Sequence, residues 1–480
     1  MAGPGGPIPI EQSGLLKSQS RDDVVVLGAG FSLAVSSRFP LTDDLGDRAV
    51  ALAGLQTVEP FSGGRFEAWL SQLAEPQPYL TPAENTANFA KFQLLIGALH
   101  QILCEVEGEA VVDGLPNWSI RFVTTLHFCR ATVITFNYDR LIERAMQSAE
   151  IDDFEKADGE GRVTWLNMLR SVPTFPPIPA RTSGELNPSI QLLKLHGSLN
   201  WFWVTGDASG VTLSHWKLDD DNEGRHRYLP GREPFVVPPA ASKSAFFRNP
   251  IMSDIWRRSA VALREAKRVA LVGYSLPLTD LVSASMVSET LSRGDVEIEV
   301  VNPYPAEVLT AVQRLTGRHA TSIAAVEEFA DRYVESASRR LGTQCRQEGT
   351  AAPDGALLLV GWNKEFLARV TGIARADGGL ELTVDDFHLP APTALQASGA
   401  PGLDPVAFVD FVLALRQDDV VTAVFANGSR ATLVGIDRFR TETGLTADWQ
   451  VLIPAESPTS LDLTSWNGRH GIRHEDSVGL

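Results

Sequence analysis

Short, unbroken apolar runs alternate with amphipathic stretches over the first two thirds of the chain. The first, Val24-Val25-Val26-Leu27, follows a charged segment and ends at Gly28-Ala29-Gly30. Mainly apolar runs also occupy residues 131–136, 192–195 (with Lys194 inside it), 269–272 and 296–301 (with Glu297 and Glu299 inside it). A run with no polar alternation has no face to offer water, so it suits a strand covered on both sides of a parallel sheet. Between these runs, residues 92–106, 141–146, 254–266 and 278–291 space their apolar positions as helices do. Buried strands alternating with helices predict an α/β fold, a doubly wound, Rossmann-like domain spanning about 21–341.

Two segments break that rhythm. Residues from about 40 to 117 separate the first two strands and read as a helical insert, interrupted at Pro60, Pro76, Pro78 and Pro82. Residues 171–188 hold five prolines and read as an extended surface segment. The Gly/Pro-rich residues 1–20 read as a flexible tail, and the polar stretch 342–355 as a linker. Beyond it, Asp377-Gly378 and Asn427-Gly428 sit between strand-like segments, where those dipeptides signal hairpins. One helix intervenes, with Asp404 as cap and Pro405 at its first position. Residues 356–480 are therefore expected to form a smaller, strand-rich C-terminal domain. No internal repeat is evident.

Charge narrows the partners. A net charge of −17 leaves little Lys and Arg for phosphate backbones or anionic membranes, so direct nucleic-acid or membrane binding is not expected. The cluster Arg264, Lys267 and Arg268 reads as a solvated face. Three cysteines without CxxC spacing offer neither a zinc site nor a disulfide framework, which points to a reducing, cytoplasmic setting. The N-terminus lacks the basic-then-apolar pattern of a signal peptide, and the apolar runs fall short of a membrane span.

Candidate chemistry collects where the predicted strands end. Gly28, Ala29, Gly30 and Ser32 follow the first strand, where glycines permit a tight turn and a helix N-terminus can face a pyrophosphate. Leu33 occupies the place of the third glycine of a full GxGxxG, and no acidic ribose ligand can be placed, which disfavours ordinary hydride transfer. Thr135-Phe136-Asn137-Tyr138-Asp139 ends the second strand; Asn137 or Asp139 could equally cap the next helix. His196-Gly197 ends the third, with a side chain able to take a proton near neutral pH. Trp201, Phe202 and Trp203 then read as hairpin packing. Gly273-Tyr274-Ser275 and Val301-Asn302 end the last two predicted strands, offering groups for a phosphate or a ribose diol.

In this order the five clusters resemble the sirtuin superfamily, and more particularly the SIR2-like NAD-cleaving effectors of bacterial antiphage defence. The resemblance spans roughly residues 20–305. It implies a SIR2-like domain that takes NAD as substrate. Asn137 would orient water or ribose hydroxyls, His196 would act as general base, and Asp139 would hold the nicotinamide carboxamide. Gly28, Ala29, Gly30 and Ser32 would line the pyrophosphate side, Gly273 and Ser275 a ribose or phosphate, and Asn302 the adenine ribose.

Two departures matter. No cysteine lies between Cys129 and Cys345, so the four-cysteine zinc module of deacylating sirtuins cannot form, and Phe136 replaces their usual glutamine. The resemblance thus implies an NAD+ hydrolase releasing nicotinamide and ADP-ribose, without a metal, held inactive until infection is sensed. The C-terminal domain would act as a sensor, bind a defence partner, or build a homo-oligomer. The alternatives are a non-catalytic NAD or ADP-ribose-binding regulatory module, and an ADP-ribosyltransferase or deacylase.

Overall fold

The computed structural model describes residues 21–56, 61, 65–148, 190–204, 207, 209–210, 212–215, 232–237, 249–276, 280–292, 294–348, 356–361, 364–376, 379–384, 421–425, 430–441 and 444–452. Three strands open the chain: β1 (Asp23–Leu27), β2 (Thr132–Thr135) and β3 (Gln191–Lys194). A small antiparallel unit follows, made of β4 (Gly197–Trp203), β5 (Ser214–His215) and β6 (Glu233–Val236). Then come β7 (Arg268–Val272), β8 (Glu297–Val301) and β9 (Thr321–Ile323).

Six of these form one parallel sheet in the order β3-β2-β1-β7-β8-β9. The chain starts at the centre, builds outward on one side, then returns beside β1 and builds outward on the other. That reversal is the order of doubly wound dinucleotide-binding sheets. Both faces are covered, which explains the unbroken apolar runs. Val25, Leu27, Val133, Leu192 and Val272 enter one core, while Val24, Val26, Ile134, Leu193 and Leu271 enter the other. The five predicted strands stand where expected. The sixth, β9, is only three residues long and mostly exposed, too slight to register as an apolar run.

The helices are α1 (Ala29–Val35), α2 (Thr42–Leu52), α3 (Arg65–Ala74), α4 (Pro82–Asp113), α5 (Asn117–Phe128), α6 (Leu141–Ser148), α7 (Pro250–Glu265), α8 (Leu281–Leu291), α9 (Pro305–Thr316) and α10 (Val326–Glu348). The insert is helical, as expected, and consists of α2, α3 and α4. Pro82, however, begins α4 rather than breaking it: Thr81 and Glu84 form a reciprocal capping box around it. α4 is long and apolar enough to cross a membrane by length and composition. Phe92, Leu95, Leu99, Ile102 and Leu103 of this helix lie in the core beside the sheet.

α10 continues to Glu348, several residues into the stretch read as a linker. The proline-rich stretch 171–188 and the helix capped by Asp404 lie outside the described residues.

Six further strands close into a barrel: β10 (Ala356–Gly361), β11 (Lys364–Ala376), β12 (Gly379–Val384), β13 (Val421–Phe425), β14 (Arg430–Thr441) and β15 (Gly444–Leu452). Closure removes the open edges that would otherwise template pairing with other chains. Antiparallel pairs flank Asp377-Gly378 and Asn427-Gly428, where hairpins were predicted. The barrel also contains a repeat that the sequence reading overlooks. Two antiparallel meanders, β10-β11-β12 and β13-β14-β15, join through parallel pairs, and each long middle strand has an irregularity in its pairing with the strand that follows. The irregularities lie between Val370 and Gly372 and between Val434 and Ile436, beside a shared Gly-Ile-x-Arg at Gly372-Ile373-Ala374-Arg375 and Gly435-Ile436-Asp437-Arg438.

Candidate functional site

Each of the five candidate clusters lies just past the carboxyl end of a sheet strand, and the strand order reverses between β1 and β7. A crevice at such a reversal is where open α/β sheets bind ligands. At its floor two glycine loops meet. Gly28 N–H donates to Val272 O and Gly30 N–H to Gly273 O, both at 3.0 Å. A Cβ on Gly28 would lie 2.5 Å from Gly273 O, and one on Gly30 2.7 Å from Gly273 Cα. Gly273 itself has φ +60°. The glycines therefore serve the approach of one loop to the other. With Phe31 N–H bonded to Gly28 O, the N–H groups of Gly28, Gly30 and Phe31 are all used within the chain. A pyrophosphate contact expected of this loop cannot come from those three donors.

Above this floor three side chains interlock. Asn137 Nδ2 donates to Gly28 O and to Ser32 Oγ, each at 2.9 Å. Ser32 Oγ in turn donates to Asp139 Oδ2 at 2.6 Å. A carbonyl oxygen can only accept, so the bond to Gly28 O fixes which end of the Asn137 amide carries nitrogen. Both its N–H bonds are spent, and Oδ1 is left as the atom able to accept from a ligand or water. Asp139 Oδ1 also accepts from Leu141 N–H at 3.2 Å, so this residue caps the start of α6, as its alternative reading foresaw. Burial pushes the Asp139 carboxyl up to about 6, against the Ser32 hydrogen bond and the nearby Lys194 ammonium. Lys194, fully buried, holds the Asp139 carbonyl at 2.7 Å and Glu143 at 2.9 Å.

His196 sits at the end of β3 in an aromatic and acidic setting. Its ring meets Phe136 edge-on at 5.1 Å and lies near-parallel to Tyr138 at 6.1 Å. Phe136 stacks on Tyr274 at 4.3 Å. His196 Nε2 lies 3.5 Å from Asp280 Oδ2, within ion-pair reach, with both side chains less than a tenth exposed. Burial raises the Tyr138 hydroxyl above its ordinary range, and the charges of Glu67 and Asp280 add to that. The same three causes raise Tyr274. Glu67 belongs to α3, so the helical insert contributes a charge to this side of the crevice. Gly197 admits β6: a Cβ there would lie 2.0 Å from Phe235 O, and its φ is +82°.

The structure thus joins Gly28, Gly30, Ser32, Asn137, Asp139 and Gly273 in one contact network, with His196 packed against the two neighbours of Asn137. Ala29 opens α1 beside them. Ser275 is exposed on the β7 loop. Asn302 stands past β8, where its Oδ1 accepts from Tyr304 N–H at 2.8 Å in a local turn. The sequence reading missed Asp280, Glu67, Tyr138 and Tyr274. Asp280 fell inside the stretch 278–291 read as helical, although it directly precedes α8 as its N-cap.

Among the described residues, no group of three or more His, Cys, Asp or Glu gathers as metal ligands do. A scan against models of protein families finds no match to the chain, and a comparison with curated proteins finds none either.

Proposed function

We propose that the chain is an NAD+ hydrolase of the SIR2-like type, cleaving the nicotinamide–ribose bond to give nicotinamide and ADP-ribose. The observation that carries this reading is the Ser32–Asn137–Asp139 network, with His196 beside it, at the point where strand order reverses. It unites, through contacts, residues from three of the five ordered motifs.

The chemistry follows from what these groups can do. Cleavage builds positive charge on the ribose ring while neutral nicotinamide departs, so the protein must place a water and accept its proton. Asn137, clamped through both N–H bonds, offers Oδ1 to orient that water or a ribose hydroxyl. His196 accepts the proton. Asp139 contributes a carboxyl, in a dry setting, for the nicotinamide carboxamide. The chain works in the cytoplasm as an NAD-depleting effector of antiphage defence, with the barrel region serving as sensor, partner site or oligomerisation unit.

The test is nicotinamide release from NAD+ by the purified chain once activated, followed by chromatography. Wild type releases it, and His196→Ala and Asn137→Ala do not. Tight NAD binding by calorimetry with no nicotinamide released in any state would favour a non-catalytic binding module. ADP-ribose found attached to protein by mass spectrometry would favour transfer over hydrolysis.

A further inference from the structure

We infer that Asp280 is the positioning residue of His196: it fixes the imidazole tautomer and offsets the charge that forms when His196 takes a proton. The assignment rests on the hydrolase reading only for what the proton transfer accomplishes. The pairing itself rests on geometry.

Asp280 precedes α8 as its N-cap, and its Oδ1 accepts from Ser283 N–H at 3.2 Å. That duty needs neither a charge nor burial, since Asn or Ser caps a helix as well as Asp does. Yet Asp280 is a carboxylate only 7% exposed, and its other oxygen, Oδ2, faces His196 Nε2 at 3.5 Å. Burying a charge is unfavourable unless it is paired. The second oxygen therefore has a partner that the cap does not explain.

The consequence is a defined proton route. An accepting carboxylate at Nε2 keeps the imidazole proton on that nitrogen and places the basic lone pair on Nδ1. A water then gives its proton to Nδ1, its oxygen bonds to the ribose carbon, and the electrons of the broken C–N bond leave with nicotinamide. The imidazolium afterwards returns the proton to solvent. The 3.5 Å separation is longer than a formed hydrogen bond and would shorten as the ring becomes charged. Tyr138 lies near-parallel to this ring with its hydroxyl donating to Val237 O at 2.7 Å, and Asp280 and Glu67 both act on Tyr138 and Tyr274. Lys194 on the same strand is engaged by Glu143 and the Asp139 carbonyl.

The experiment uses the full chain with Asp280→Asn, which keeps the cap and removes the charge, and Asp280→Glu, which keeps the charge. Nuclear magnetic resonance of labelled histidine, assigned with His196→Ala, reads the His196 titration without any turnover. The Asp280→Asn midpoint falls below wild type, and Asp280→Glu restores part of the difference. In NAD cleavage, Asp280→Asn lowers kcat about 10²-fold, the lower end of what acid–base groups contribute, with KM little changed. The acid limb of its pH profile moves to lower pH, because the imidazole has lost its anionic neighbour. An unmoved His196 midpoint, or wild-type kcat in Asp280→Asn, overturns the assignment. A shifted midpoint in a chain that never cleaves NAD upholds the pair and overturns the hydrolase reading instead.

Discussion

Gly30 and Gly273 bring two strand ends of the central sheet into backbone contact: Gly30 N–H donates to Gly273 O at 3.0 Å, and a Cβ on Gly273 would lie 2.3 Å from Phe31 N. The crevice floor depends on that contact. Gly317 has a similar φ, +72° against +60°, but a Cβ there would meet nothing within 4 Å. Gly317→Ala should therefore cost only the left-handed backbone penalty, about 1–2 kcal/mol. Gly273→Ala adds overpacking and should cost about 3 kcal/mol or more. Denaturant melts of the two variants measure the difference. Equal losses would mean that the loops do not touch as described.

Asp139 makes stability depend on pH in an unusual direction. Its carboxyl sits at about 6 in the folded chain, above its ordinary 3.8, so the folded state binds a proton more tightly than the unfolded state. Between roughly pH 4 and pH 6 the folded state holds more protons, and stability falls as pH rises through this window. Asp139→Asn cannot ionise. Melting temperatures should show wild type losing ground to this variant from pH 4 to pH 6, with no further change above. A constant gap would place the Asp139 carboxyl in its ordinary range.

Glu107 ties the helical insert to the sheet. It is fully buried on α4, accepts from Arg140 N–H and Nε at 2.8 Å each, and lies 3.5 Å from Arg144 Nε. Removing one partner of a buried pair leaves the other charge uncompensated, so Glu107→Ala should cost about 3–5 kcal/mol. The double variant Glu107→Ala/Arg140→Met should recover part of that loss. Equilibrium unfolding of both variants checks it, and an unaffected Glu107→Ala would show that the pair carries no stability.

The sheet was legible because continuous apolar runs have few alternatives, and the residues at their ends could be named without coordinates. Their local roles were less legible. Gly28 and Gly30 read as a phosphate loop, yet their N–H groups serve β7, a strand more than 200 residues later whose neighbour cannot be read from local pattern. Asp280 fell inside the helical pattern 278–291, and its second oxygen faces His196, just past β3, which no local pattern reveals. Pro82 read as a break, although Thr81 and Glu84 spelled out a capping box around it.

Glu107 and Lys194 show the same limit from the opposite side. A charged residue inside a helical or strand pattern reads as an exposed position, and only the packed fold reveals Arg140 and Glu143 waiting for it. The barrel repeat was hidden because its two halves share little beyond Gly-Ile-x-Arg. The hairpins between their strands also differ in length, leaving residues 362–363 in one half and 426–429 in the other. What local pattern conveys is the element; what it cannot convey is the partner.

The most direct test is the NAD content of bacterial cells expressing wild type, His196→Ala or Asn137→Ala, followed through phage challenge. The account predicts that NAD falls and nicotinamide rises only with the wild-type chain. Equal NAD loss with His196→Ala would contradict it.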